Sequence, residues 1–240
     1  FRIFFSGDVR IDTRDRLKVN TDQLTYTKAT ETADAEEYLE FSRDNISGRA
    51  VGAVVKIAGK TLELLKDVEI KAGPGGPGSE FARADVERAT LRSESAFVDQ
   101  EAETIDLKGN VDALVVPAGK GSGGRTPTKI MSSNAKAFVE EKELRRVDLS
   151  GGVVIETSNA GGTPAVAKSS KATYLVPGEV FELEGDVRID SENNGRATRI
   201  ASSRAVYRQA AATVDLTGGA RVTQGTDSVA GDRINASLYP

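Results

Sequence analysis

The chain has no cysteine and no histidine. The first absence excludes a disulfide framework and any thiolate metal site. The second removes the commonest general base and the commonest metal ligand. There is no tryptophan, and aromatic residues make up only 5%, so few platforms exist for stacking a sugar. No apolar run reaches the 18 residues of a helical membrane span. The formal net charge of −4 lacks the basic footprint that nucleic acid requires. What remains is 240 residues, 38% of them apolar. That supports a lean core in an exported, non-catalytic chain with no cofactor or metal.

One pattern recurs about six times: apolar-x-apolar, turn-like residues, then apolar-x-apolar. Phe5-Ser6-Gly7-Asp8-Val9-Arg10-Ile11 is the first copy. The later ones centre on Leu62 to Ile70, Ile105 to Ala113, Val147 to Ile155, Phe181 to Ile189 and Val214 to Val222. Each is a period-2 alternation broken mostly by Gly-Asp, Gly-Asn or Gly-Gly, which predicts a strand, a tight bend and a second strand with one apolar face. A repeat at fixed spacing names an architecture before any chemistry is considered. With Val9, Val68, Val111, Val153, Val187 and Ala220 as markers, the steps are 59, 43, 42, 34 and 33 residues. The bare unit is therefore about 33. The middle steps are lengthened by Gly/Pro inserts at 73–78, 119–124 and 159–164, which leave a stacked core unchanged. The first step is too long for one unit and predicts a degenerate copy at Leu39 to Gly48.

A second half-motif lies between the markers. It reads Thr21-Asp22-Gln23-Leu24-Thr25-Tyr26, Ser133 to Phe138, Ser170 to Tyr174 and Ser203 to Tyr207, with a weaker echo at Arg83-Ala84-Asp85-Val86. One unit is thus a pair of bent strands, and the bends at Gly109-Asn110, Gly151-Gly152, Gly185-Asp186 and Gly218-Gly219 should lie in a row along one edge. Phe81 to Leu107 is rich in Ala, Glu and Arg, so propensity alone would make part of it helix; the repeat register predicts strand. Because the sequence opens at Phe1 inside a strand pattern, an N-terminal signal or anchor segment is expected to have been removed.

Several short motifs lack the context they need. Gly73, Gly75 and Gly78 spell G-x-G-x-x-G, but Pro74 and Pro77 interrupt it and no helix follows to aim at a phosphate. Ser133 and Lys136 match a serine–lysine motif whose companion motifs are absent. Asn45-Ile46-Ser47 and Asn235-Ala236-Ser237 spell glycosylation sequons, which would carry little if the source were bacterial. Glu36-Glu37 and Glu140-Glu141 would point to opposite strand faces, so they make poor catalytic dyads. No catalytic residue is assigned.

The strings Leu183-Glu184-Gly185-Asp186-Val187-Arg188-Ile189, Asp215 to Val222 and Gly231-Asp232-Arg233-Ile234 resemble the repeats of the OstA-like lipopolysaccharide-transport family (LptA/LptC-like proteins). Residues 1–72 look more like the LptC type and 80–240 more like the LptA type, as one continuous stack. The resemblance implies an all-β, open β-jelly roll (β-taco) with two stacked sheets. It also implies a periplasmic bridge that passes lipopolysaccharide or a similar glycolipid from the inner to the outer membrane. Its implied partners are an inner-membrane ABC transporter, an outer-membrane assembly protein and other jelly-roll proteins joined head-to-tail.

A lipid track through such a fold would meet inward positions of successive units: Ile11, Val68, Ile70, Leu107, Val111, Leu149, Val153, Leu183, Val187, Leu216 and Val222. Any β-sandwich also buries such residues as plain core. Tyr26, Tyr174 and Tyr207 are candidates for a groove rim or a sheet edge. Two other readings stand beside the lipid carrier. One is a structural or adhesive β-solenoid without ligand. The other is a carbohydrate-active β-helix, which the poverty in aromatics disfavours.

Overall fold

The computed structural model describes residues 1–13, 16–74, 86–118, 126–141, 143–158, 164–193, 195–208, 211 and 213–237. Most of the Gly/Pro inserts, the Arg83 to Asp85 echo and Leu238 lie outside the described residues. The described residues form strands and no helix. In chain order the strands are β1 (Arg2–Asp12), β2 (Lys18–Thr27), β3 (Thr32–Arg43), β4 (Ile46–Lys56), β5 (Thr61–Ala72), β6 (Val86–Ser93), β7 (Ser95–Asp99) and β8 (Thr104–Pro117). They continue as β9 (Thr128–Glu140), β10 (Glu143–Ser158), β11 (Pro164–Leu175), β12 (Val180–Asn193), β13 (Arg196–Arg208), β14 (Thr213–Gln224) and β15 (Asp227–Ser237). All pair antiparallel in a single sheet that follows chain order. β6 and β7 together occupy one position: β6 pairs one half of β5 and of β8, and β7 pairs the other half. The Ala-rich stretch expected as strand is strand from Val86 through Asp99 and again from Thr104.

Every second strand carries one extra residue at its middle. In β12 the inward pair Leu183 and Val187 stand four apart, while in the neighbouring β13 Ser202 and Ala205 stand three apart. The same mismatch recurs between Leu107/Val111 and Ser132/Ala135, and between Leu149/Val153 and Ser169/Ala172. Such a bulge bends the strand and raises its local twist. The register shifts at corresponding places from β1 to β15 (Ser6/Val9, Lys108/Val111, Ser150/Val153, Thr217/Ala220), so the bends add up to a crease. The glycine pairs do form a row, and the row is this crease, inside the strands.

The crease folds the sheet into two limbs. Leu183 and Val187 are only 4% and 1% exposed although β12 pairs with just two neighbours; the facing limb supplies their cover. The two stacked layers of the expected open jelly roll are therefore the two halves of one sheet. On the first limb the deepest row alternates large and small: Leu64, Ala96, Leu107, Ala135, Leu149, Ala172, Leu183, Ala205 and Leu216, each paired with the next across the sheet. On the second limb Val68, Val111, Val153 and Val187 pair with, or lie beside, Ser93, Ser132, Ser169 and Ser202. Each buried Leu or Val removes about 2 kcal/mol of apolar surface from water. The buried serines satisfy themselves locally. The hydroxyls of Ser93, Ser132, Ser169 and Ser202 donate to the carbonyl two residues on, at 3.0, 3.0, 2.8 and 3.0 Å.

One expectation is corrected. Leu39 to Gly48 is not the degenerate copy: Asp44 and Asn45 form the turn between β3 and β4. The missing unit is Ala35 to Leu39, whose register shifts between Ala35 and Tyr38. Glu36 and Glu37 stand there in place of glycine, and neither takes the left-handed conformation. Val9, Leu39 and Val68 then divide the long first step into two near-equal ones. The weak echo at Arg83 to Asp85 lies outside the described residues; among the described ones, Ser93-Glu94-Ser95-Ala96-Phe97 has the half-motif's geometry, with the Ser93 hydroxyl donating to the Ser95 carbonyl.

The crease sets a specific demand at Gly151. Its φ is +83°, and a Cβ there would lie 2.5 Å from the Ser133 Cβ, whose hydroxyl donates to the Gly151 carbonyl at 2.6 Å. Gly152 has the same φ but open space around it. Gly151→Val should therefore cost about 3 kcal/mol, from left-handed strain plus the clash. Gly152→Ala should cost about 1 kcal/mol from strain alone. Urea unfolding of the two variants checks the difference; equal costs would remove the crease contact as its cause.

Candidate functional site

Two residues outward from the deep rows, each limb carries a further inward row that reaches the open seam. On the first limb it runs Ile3, Tyr26, Ala33, Val55, Leu62, Val98, Ile105, Ala137, Val147, Tyr174, Phe181, Tyr207, Val214 and Ala236, each opposite the next. On the second limb it runs Ile11, Val19, Phe41, Gly48, Ile70, Leu91, Ala113, Ile130, Ile155, Ala167, Ile189, Ile200, Val222 and Val229, again without a break. Neither row contains a charged residue. All but Val214 and Ile155 keep contact with solvent. At about 4.8 Å per strand, fourteen strand positions give two apolar rims about 60 Å long.

The structure sorts the predicted track into two depths. Val68, Leu107, Val111, Leu149, Val153, Leu183, Val187 and Leu216 are all 5% exposed or less and form the packed floor. Ile11, Ile70 and Val222 are half-buried and lie on the second rim. Tyr26, Tyr174 and Tyr207 lie on the first rim. There Tyr174 stacks on Phe181 with ring centroids 4.4 Å apart, a geometry that adds about 1 kcal/mol to burial. The rim residues from the intervening strands (Val19, Leu91, Ile130, Ala167 and Ile200) escaped the sequence reading, which followed the glycine-marked copies. Their signal was an apolar residue two before the serine or threonine of the half-motif, as in Ile130-x-Ser132 and Ile200-x-Ser202.

The charged chemistry sits on the outer face. A polar hollow of about 530 Å³ lies there, edged by Lys108, Lys136, Lys171, Asp148, Glu182 and Glu184. Its acids and bases are interleaved: Lys136 pairs with Asp106 at 3.2 Å and Arg204 with Glu182 at 2.6 Å. Ser133 and Lys136 fall on a strand, with the serine hydroxyl spent on Gly151. Among the described residues, no group of three acidic side chains is placed to hold a metal ion.

The most constrained carboxylate is Glu69, 4% exposed, on the outer face of β5. Lys71, Arg92 and Arg49 approach it at 2.9, 2.8 and 3.4 Å. Hydrogen bonds from Lys71 and Arg92 outweigh its burial and hold its pKa at about 2. Arg92 belongs to β6, so this cluster ties residues 1–72 to the strands that follow.

Residues 2–72 match the family model described as lipopolysaccharide-assembly, LptC-related. The match falls on the segment whose sequence looks LptC-like, residues 1–72. Among solved structures, the chain is similar to LptH of Pseudomonas aeruginosa, titled the LptA homologous periplasmic component of the conserved lipopolysaccharide transport device. The identity is 15% and the TM-score 0.44, with 63% of this chain and 95% of that one covered. No curated protein matches the chain.

The depressed pKa of Glu69 has a definite sign. Its contribution to stability is full above the ordinary carboxylate value of 4.5 and is lost as pH falls from there toward 2. Glu69→Gln should lower stability at pH 7 and flatten the loss between pH 4.5 and 2, read by thermal unfolding across that range. An unchanged acid profile would show that the cluster does not hold the carboxylate down.

Proposed function

We propose that this protein is a non-enzymatic periplasmic lipid carrier. It covers the acyl chains of lipopolysaccharide, or of a similar glycolipid, in the seam between its limbs and helps to bridge the inner and outer membranes. The observation that carries this reading is the pair of unbroken apolar rims across all fourteen strand positions. The family match over residues 2–72 supports a role in lipopolysaccharide transport. An acyl chain of about a dozen carbons costs on the order of 10 kcal/mol to expose to water. A trough of uniform apolar rims removes that cost at every step along its length.

The eleven predicted positions divide the work. The eight floor residues hold the limbs together, and the chains would meet Ile11, Ile70 and Val222 with their half-buried neighbours Ile189 and Phe181. The buried floor alone would also suit a ligand-free scaffold, since eight of the eleven positions are already packed. A photo-crosslinking residue at Ile189 or Val222 should capture lipopolysaccharide, and one at the outward Arg188 should not. Equal capture from both faces in folded protein would leave the scaffold reading standing.

Assembly follows from the two open edges. β1 and β15 each pair on one side only, and an unpaired edge is a template for another strand. Phe1, just before β1, and Phe4 and Phe5 of β1 are exposed (72%, 62% and 42%), and β15 exposes Val229 (63%). These ends would join head-to-tail to other jelly-roll proteins, the ABC transporter feeding one end and the outer-membrane assembly protein receiving at the other. Such heterologous contacts extend without closing. The mass measured by light scattering should rise with protein concentration, and Val229→Lys should suppress the rise. A constant monomer mass up to millimolar concentration would remove the end-to-end contact.

A further inference from the structure

Beyond the second rim lies one more inward row, the lip of that limb, and its polarity changes partway along. From β4 to β8 it reads Ile46, Ala72, Ala89 and Val115, each opposite the next. Val115 then pairs with Thr128. From there to β14 the lip reads Thr128, Thr157, Ala165, Ser191, Thr198 and Gln224. Five of these six side chains carry a hydroxyl or an amide, none is charged, and all six are half-buried.

Some of this hydrogen-bonding capacity is used internally. Thr128 and Thr157 share a bond of 3.2 Å, and Gln224 donates to the Thr198 hydroxyl at 3.2 Å. Much is left over. A hydroxyl accepts two bonds besides donating one, and the Gln224 carbonyl oxygen and second amide hydrogen have no partner among the described residues. Nor does the Ser191 hydroxyl. Packing does not ask for this composition, because the same row is apolar from β4 to β8, on the same limb and at the same depth.

We propose that the lip from β9 to β14 is a headgroup track that hydrogen-bonds the neutral, hydroxyl- and amide-bearing sugar head of the lipid. The proposal rests on the reading that acyl chains lie along the rims. One step outward from Ile155, Ile189, Ile200 and Val222 stand Thr157, Ser191, Thr198 and Gln224, so chain and head would meet adjacent rows of the same strands. The absence of Lys and Arg from these six positions selects a sugar over a phosphate, which a planar guanidinium or an ammonium would recognise. Neutral hydrogen bonds of this kind are individually weak and exchangeable. That suits a head that must be held in orientation while the lipid moves on.

The test compares two ligands with the same twelve-carbon chain, both below their micelle concentrations: dodecyl maltoside and dodecyl dimethylamine oxide. The protein is the full chain and its Thr157→Val, Thr198→Val, Gln224→Leu variant, with folding checked by circular dichroism and thermal unfolding. The maltoside should bind the variant about tenfold more weakly, and the amine oxide should bind both proteins within twofold. A parallel loss for both ligands, or no loss for the maltoside, would overturn the headgroup track. Tighter binding of dodecyl phosphate than of the maltoside to the unsubstituted chain would overturn it as well. If that chain binds neither ligand, the lipid-carrier reading falls and takes the track with it. If the amine oxide binds and the maltoside is insensitive, only the track falls.

Discussion

The structure depends on one extra residue in every second strand. A flat antiparallel sheet of this length would leave one apolar face in water, because among the described residues it meets no second sheet and no helix. The four-residue spacing of Leu183 and Val187 beside the three-residue spacing of Ser202 and Ala205 forces a bend at each strand pair. Since the bends share a register, the sheet folds along them and covers its own face. Gly7, Gly109, Gly185 and their neighbours Asp8, Asn110 and Asp186 all take positive φ at this line. Asn and Asp are the non-glycine residues that tolerate it best. The serine hydroxyls on the intervening strands occupy backbone carbonyls that the bend turns away from the ladder.

This fold separates a packed core from an apolar surface left open to solvent. At the crease the limbs are closest, and Leu against Ala or Val beside Ser fills the space. Two residues out, the limbs diverge enough that Phe181, Ile189 and Ile200 pack only partly. A single chain thereby builds a stable core and an apolar surface still open to solvent, from one alternating pattern. The floor and both rims are free of charge, and the ion pairs described above lie on the outer face. There each strand offers partners to the next, and Glu69 on β5 is tied to Arg92 on β6.

The crease and the repeat unit were legible because they need residues of unusual backbone freedom, which stand out in any sequence. The units at Leu183 and Leu216 could be read almost residue by residue. The unit at Ala35 could not, because Glu36 and Glu37 make its bulge without a left-handed residue and leave no compositional mark. Depth was less legible than face. Alternation places Leu149 and Ile189 on the same side of the sheet, yet only the distance from the crease decides that one is floor and the other rim. That distance depends on the register of both strands at once. The intervening strands carry half of each rim and were faint for a related reason. Apart from Gly52 in β4 their bends hold no left-handed glycine, so Val19 and Ile200 sit in ordinary strand sequence.

The sameness of the repeats bears on how such a body could move a lipid. A site with one deep pocket holds its ligand in place, because leaving costs the whole of the burial energy. Here most strands offer an increment of the same kind as their neighbours': one uncharged residue per rim, aliphatic or aromatic everywhere but at Gly48. A chain displaced by one strand loses one set of contacts and gains an equivalent one, so net displacement along the seam is close to level in free energy. Direction must then come from the ends, where β1 and β15 present open edges. A transporter that loads one end and an acceptor that empties the other can impose it without any chemistry in between.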